Sequence, residues 1–404
     1  MPKEIIIHNI DIVTVQGNIS GGTKCMVEII KYLSKKYKNI LYTCKSTEVG
    51  FIKKSNVINE NIEYKPIGKY YFEKSYYSYV FNFFRSIFLS LSNIPRFDER
   101  NVNVIITHSE LSPNLVYGLL MKLKNKNSIW MSFMHMPSPR LFRGYKGEYT
   151  NRKYFPNAGL LHFWLNQRIY NFLAKKADIV IATNFYYEGF LMEKFNKVGI
   201  IHYGIELPDG QTNANTPINL EHKEYDALFI GRFHEQKGIF ELLDVWKKVI
   251  KINNKLKLAI AGSYLDQNNK KLVKQIKEMG LEGSIDLLGY KIGIEKENIL
   301  RKSKIFLFPS LYESFGIVAL EAMSFGLPVI AYNLPIFGIF ERGMVKVPIL
   351  DNDTFAKDFF KLLNNNLRYK EMSEEATEYS REFTWERTGE QFKDILDKLI
   401  STSY

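Results

Sequence analysis

Short apolar runs alternate with helical periods along this chain, and the alternation occurs twice, on either side of one polar break. Such a pattern restricts the fold to parallel sheets covered by helices on both faces. The first run is Glu4 to Ile10. It is followed by a glycine-bearing loop, Gln16 to Thr23, and by Met26, Ile29, Ile30 and Leu33 at helical spacing. Further strand signals are Asn39–Thr43, Val102–Thr107, Ile129–Met134 and Ile179–Ala182, with a helical stretch around Trp164 to Ala177. Leu207 to Pro217 is polar, holds two prolines and has no period, so it predicts a linker. The alternation then restarts with strands expected at 227–230, 256–261, 285–288, 305–308 and 328–331. Helices are expected at 240–250, 315–325, 355–363 and 385–400. The length of 404 residues agrees, since about 150 residues per domain gives two or three. The expected organisation is an α/β domain over 1–206, a linker over 207–219, a second α/β domain over 220–385 and a terminal helix over 386–404 that packs back towards the first domain.

Composition excludes several classes. A hydrophobic fraction of 46% supports full cores. No segment offers the roughly 20 uncharged apolar residues of a membrane span; the best, Tyr76 to Ile94, carries Asn82 and Arg85 at its centre. The start, Met1-Pro2-Lys3-Glu4 before Ile5-Ile6-Ile7, is too short for a signal peptide's apolar core. Two cysteines, Cys25 and Cys44, and no clustered Cys/His spacing argue against a disulfide framework or a structural metal. These features predict a cytoplasmic chain. Residues 1–200 hold 28 Lys and Arg against 14 Asp and Glu, whereas residues 201–404 hold 27 against 29. The basic first half suits an anionic partner, whether nucleic acid, membrane surface or phosphorylated substrate, or it reflects a Lys-, Asn- and Ile-rich composition.

Two stretches carry chemistry. In Leu307 to Ala322 a strand ends at Phe308, a loop carries Glu313, and a helix starts near Phe315 or Gly316, with Glu321 about one and a half turns in. Loops at the carboxyl ends of parallel strands are where open α/β sheets bind ligands. A helix start offers unpaired N–H groups and a positive dipole end to a phosphate. The alternative is a capped surface helix with two solvated glutamates. In Phe229 to Ile239 another strand-to-helix loop holds Arg232 and Lys237, two fixed cations suited to a diphosphate, or else two ordinary surface basics. The order of a Walker loop is absent.

Gly-Arg-x4-Lys-Gly over 231–238, followed about eighty residues on by Glu-Ser-Phe-Gly-x4-Glu over 313–321, resembles the retaining glycosyltransferases of family 4. Gly21-Gly22, Ala177 to Thr183, Ile201 to Ile205 and Phe383 to Glu386 match further family motifs. The resemblance implies the GT-B architecture, two Rossmann-like α/β/α domains facing across a cleft. It also implies a nucleotide diphosphate sugar as donor, with no cofactor and no metal. By motif position, Glu313 resembles the glutamate on the donor sugar's hydroxyls and Glu321 the one on the ribose. Arg232 and Lys237 resemble the pair on the diphosphate, while Phe315, Gly316 and Ile317 resemble backbone donors to the phosphates. Tyr290 falls beside the base, Gly22 lies in the glycine loop, and His135 resembles the histidine that faces the donor sugar; a satisfied core histidine is its alternative. One departure stands out: the family's Gly-Gly-x2-Glu loop reads Tyr332-Asn333-Leu334-Pro335-Ile336-Phe337 here.

The expected activity is therefore retaining transfer of a hexose, from a UDP- or GDP-sugar, to an acceptor hydroxyl on a glycan or lipid-linked sugar. Arg140, Arg143 and Tyr145 lie in a basic and aromatic stretch, 140–155, that suits a lipid diphosphate or an anionic membrane at its cytoplasmic face. The helix around Val80, Phe84, Phe88 and Leu91 is read as buried in preference to membrane-bound. Three other readings stand beside transfer: a basic membrane- or nucleic-acid-binding module, a sugar-nucleotide epimerase of the same architecture, and a glycosidase. No nucleic-acid motif accompanies the charge, and no nucleic acid is expected as partner. One glutamate before a helix and one within it do not face each other across a scissile bond as a glycosidase needs.

Overall fold

The computed structural model describes residues 4–12, 21–43, 60–67, 84, 88, 91, 94–147, 149–150, 155–208, 223–263 and 266–403. The chain divides into two compact units: 1–141 with 156–204 and 385–404, and 142–155 with 205–384.

The first unit runs β1 (Ile5–Asp11), α1 (Gly21–Ser34), β2 (Lys38–Thr43), β3 (Ile62–Pro66), β4 (Val102–Thr107), α2 (Ser112–Lys124), β5 (Ile129–Met134), α3 (Ala158–Leu173), β6 (Ile179–Ala182), α4 (Glu188–Met192) and β7 (Val198–Ile200). Its seven strands are all parallel, in the order β3-β2-β1-β4-β5-β6-β7. Every residue of β4, β5 and β6 is buried, as central parallel strands covered on both faces require. Met26, Ile29, Ile30 and Leu33 of α1 are buried together, as their spacing predicts. Burial of each such side chain contributes about 1.5–3 kcal/mol.

The second unit runs β8 (Tyr225–Ile230), α5 (Ile239–Ile252), β9 (Leu258–Ala261), α6 (Asp266–Glu278), β10 (Ile285–Gly289), α7 (Gly293–Arg301), β11 (Ser303–Phe308), α8 (Ile317–Ser324), β12 (Val329–Tyr332), β13 (Met344–Val347), α9 (Asn352–Leu363) and α10 (Asn366–Ser380). Its six parallel strands follow the order β10-β9-β8-β11-β12-β13. Trp246 of α5 packs edge-on against Phe359 of α9 and donates to Ser284 Oγ at 3.1 Å, so its one polar group is satisfied in the core. The final helix, α11 (Trp385–Ser403), belongs to the first unit, where it packs on α1.

In each sheet the strand order reverses beside the first strand, between β1 and β4 and between β8 and β11. The carboxyl ends at such a reversal are the ligand-binding positions of open α/β sheets. The strands missed by the sequence pattern are β3, β7 and β13, which are outer strands carrying little continuous apolar signal. Most of the 207–219 linker, the loop over 16–20, Cys44, and Arg152, Lys153 and Tyr154 lie outside the described residues, as does Val80. Phe84, Phe88 and Leu91 are helical and exposed, against the expectation of a buried helix there.

Candidate active site

In the second unit, β8 ends at Ile230 and β11 at Phe308, side by side in the sheet. The loops leaving them are 231–238 and 309–316, the two stretches singled out in the sequence. They are tied together by backbone bonds from Leu311 and Tyr312 N–H to the Gln236 carbonyl, at 2.9 and 3.3 Å. Gln236 also donates through Nε2 to the Tyr312 carbonyl and accepts from Arg232 at Oε1, at 3.1 and 3.0 Å. Gly238 closes the junction at φ 67°, and a Cβ there would sit 1.7 Å from the Pro309 carbonyl oxygen. Only glycine allows both that backbone angle and that approach.

The loops bring the expected charges together. Lys237 Nζ lies 2.5 Å from Glu313 Oε1, and Ser310 Oγ donates to the same oxygen at 2.8 Å. Glu313 is buried, Lys237 half-buried and Arg232 exposed. His234 accepts at Nδ1 from Gln236 N–H at 3.1 Å. Burial, reinforced by the charges of Arg232 and Lys237, lowers its pKa to about 4 and keeps it neutral near pH 7. Gly316, at φ 100°, caps the start of α8, whose first amides have no partner within the helix. The Phe315 ring points into the core, edge-on to Phe340 and Phe383. Glu321, further along α8, pairs with Lys296 of α7 at 2.7 Å. Tyr290 lies half exposed just beyond β10.

Several residues here carry no sequence signal. Ser310, Gln236, His234 and Lys296 enter only because two loops and two helices meet. The departing loop gains a role as well: Leu334, Ile336 and Phe337 are buried, and Phe337 packs on Phe308 and Phe340 beneath Gly316. It serves as an apolar support for the 313–316 turn.

The proposed acceptor residues are divided. Arg140 falls in the first unit, while Arg143 and Tyr145 belong to the second. Tyr145 packs against His234 and Tyr312, each with ring centroids 5.6 Å away. Lys146 pairs with the buried Glu241 of α5, and Tyr149 packs on the second unit's core. Among the described residues Glu241 Oε2 has no hydrogen-bond partner, and Lys146 is the cation paired with this buried carboxylate.

In the first unit, His135 follows β5. Its Nε2 lies 2.8 Å from the His108 carbonyl and its Nδ1 2.6 Å from the Tyr203 hydroxyl. A carbonyl only accepts, so the neutral ring carries its proton on Nε2 and Nδ1 accepts from Tyr203. Glu110 Oε2 accepts from the His135 backbone N–H at 3.3 Å. Gly22 lies against this ring: a Cβ there would meet His135 Cδ2 at 2.9 Å. His108 bonds Asn9 through Nε2 at 2.8 Å, and burial, then the nearby His135, lowers its pKa to about 3. Among the described residues no group of three His, Cys, Asp or Glu side chains is placed to hold a metal ion.

Comparison with known proteins agrees with the motif geometry. An uncharacterised glycosyltransferase of Methanocaldococcus jannaschii is 27% identical over 238 residues, 57% of this chain and 62% of that protein. The GDP-mannose:cellobiosyl-diphosphopolyprenol alpha-mannosyltransferase of Xanthomonas oryzae is 34% identical over 110 residues, 27% of this chain and 29% of its own length. The match thus spans less than two thirds of either relative. The crystal structure of Anabaena HepE in complex with UDP and glucose superposes with a TM-score of 0.68 at 15% identity, covering 97% of this chain and 99% of that one. The two parallel sheets are those of the GT-B fold. The model for glycosyl transferases group 1 matches residues 211–382, which include both charged loops and Glu321. Residues 211–382 therefore match the glycosyl transferases group 1 family, over the part of the chain that carries both charged loops.

Proposed function

We propose that this chain is a retaining glycosyltransferase that moves a hexose from a UDP- or GDP-sugar to an acceptor hydroxyl on a glycan or lipid-linked sugar. The observation that carries the reading is the meeting of Arg232, Lys237 and Glu313 at the carboxyl ends of β8 and β11, beside the start of α8. A diphosphate needs fixed cations and N–H donors, and a transferred sugar needs an acceptor for its hydroxyls; both sets lie within one loop pair. Relatives named for GDP-mannose transfer and for a UDP complex support a nucleotide sugar as donor.

In this mechanism Glu313 holds the sugar hydroxyls and Glu321 the ribose, with Tyr290 beside the base. Arg232, Lys237 and the amides from Phe315 to Ile317 stabilise the charge that grows on the departing diphosphate. The acceptor oxygen bonds to the anomeric carbon on the face from which the phosphate oxygen leaves. The acceptor's proton passes to that phosphate, so configuration is retained. The two cationic side chains do the neutralising that a divalent ion does elsewhere. The role that motif position implies for His135, contact with the transferred sugar, is part of the same proposal.

Thermal-shift titration across a panel of UDP- and GDP-sugars, followed by acceptor screening in EDTA with the best donor, tests the reading. Stabilisation by one nucleotide series and transfer with retained anomeric configuration are expected. No stabilisation by any nucleotide sugar, with salt-sensitive DNA binding instead, rejects it.

A further inference from the structure

The first unit carries a surface that the donor chemistry does not use. Helix α3 (Ala158–Leu173) packs on α2 through one side and leaves Leu161, Leu165, Ile169 and Phe172 exposed on another, at spacings of four, four and three residues. Phe172 is 75% exposed. Long apolar side chains are normally what a helix buries, so an exposed stripe of four calls for a covering partner. No Asp or Glu occurs from Pro156 to Ala177, whereas Arg168, Lys175 and Lys176 do, all exposed.

The neighbouring helix extends this surface. Tyr170 of α3 meets Phe195, just after α4, with ring centroids 5.9 Å apart, so the two elements are adjacent. Phe190 and Met192 of α4 are exposed beside Lys194, whose Nζ sits 3.3 Å from the Phe190 ring centroid. On α3 the Arg168 guanidinium lies 4.7 Å from the Trp164 ring centroid. Lys194 has its pKa lowered first by burial and then by the nearby charge of Arg168, with Glu193 opposing. Glu188 and Glu193 are the acidic residues of this α4 region.

We propose that the exposed face of α3, with Phe190 and Lys194, docks on an anionic lipid bilayer. Aromatic and aliphatic side chains interleaved with Arg and Lys suit the boundary between headgroups and acyl chains, where cations reach phosphate and rings reach hydrocarbon. No described helix is long and apolar enough to cross a membrane, which fits a helix lying in the interface plane. A second copy of the chain is the poorer occupant. A two-fold contact of α3 with its own copy would bring Arg168, Lys175 and Lys176 to a helix that offers no carboxylate in return. The sequence places membrane contact elsewhere, at 140–155, so this site is separate from that expectation and from the nucleotide-sugar reading.

The test is co-sedimentation of the full chain with phosphatidylcholine vesicles and with vesicles containing phosphatidylglycerol, at low and high salt. Wild type should partition to the anionic vesicles at least tenfold more than to the neutral ones at low salt. Arg168→Glu with Lys194→Glu should remove most of that gain, since each lost basic group lowers partition about fivefold. Leu165→Gln with Phe172→Gln should lower anionic partition at least tenfold while leaving nucleotide affinity intact. Because Phe172 is so exposed, Phe172→Gln alone serves if the double variant melts early. Equal partition of wild type to both vesicle types overturns the proposal. So does unchanged anionic partition in both variants, or a dimer in light scattering that both variants abolish while vesicle binding is absent.

Discussion

Lys237 Nζ lies 2.5 Å from Glu313 Oε1, although the residues stand 76 positions apart in the chain. The cation assigned to the departing phosphate and the carboxylate assigned to the sugar thus neutralise each other before a donor arrives. Replacing Glu313 therefore releases Lys237 as well as removing a sugar contact. Glu313→Gln should lower turnover by about 10²–10³, while UDP or GDP affinity holds or rises, because the unpaired Lys237 gains a phosphate partner. Calorimetry beside initial-rate kinetics checks this; weaker nucleotide binding in Glu313→Gln would reverse the assigned roles.

Glu321 makes a separate pair with Lys296, at 2.7 Å. Glu321→Gln should weaken binding of the free nucleotide about tenfold, because a carboxylate accepts ribose hydroxyls more strongly than an amide. Lys296→Ala should have a smaller effect of the same sign through the looser carboxylate. Titration of UDP and GDP into both variants separates them, and equal affinity in Glu321→Gln and wild type removes the ribose role.

Gly238 and Gly280 share nearly the same backbone angle, φ 67° and 68°, but a Cβ at Gly280 meets nothing within 4 Å. Gly280→Ala should cost only the left-handed strain, about 1–2 kcal/mol. Gly238→Ala adds a clash with the Pro309 carbonyl and should cost more, with donor binding lost as the two loops part. Urea unfolding of both variants measures the difference.

Lys146→Ala should leave the Glu241 carboxylate buried without a counter-charge and destabilise the chain by about 2 kcal/mol, a figure reduced for the half-exposed lysine. Lys146→Ala with Glu241→Gln should recover part of this, since no buried charge then remains. Denaturant midpoints for the single and double variants decide, and additive losses would contradict the pairing of Lys146 with Glu241.

Burial comes first among the causes that lower the pKa of His8 to about 4, His108 to about 3 and His234 to about 4. Unfolded imidazoles take up protons near pH 6.5. Between that value and about 3, the unfolded state therefore binds more protons than the folded one, and stability falls as pH falls through this window. Above pH 6.5 these groups contribute no pH dependence. His8 alone accounts for about 3 kcal/mol of the loss. Unfolding free energies measured from pH 7 down to pH 4 should show the decline; a flat profile contradicts the buried neutral rings.

The sequence by itself determined the alternating architecture, ten of the thirteen described strands, and the position of both charged loops at strand ends. These are local properties: an apolar run, a glycine, a helical period and a terminal charge are read within about ten residues. It did not determine the outer strands β3, β7 and β13, whose register depends on a neighbour already in place. It also did not reveal that Tyr145 and Lys146 belong with the second unit, or that Lys296 holds Glu321 and Phe337 supports Gly316. Those relationships depend on strand order. Only once β8 and β11 lie side by side do loops more than seventy residues apart share one surface, and only packing then selects which side chains meet there.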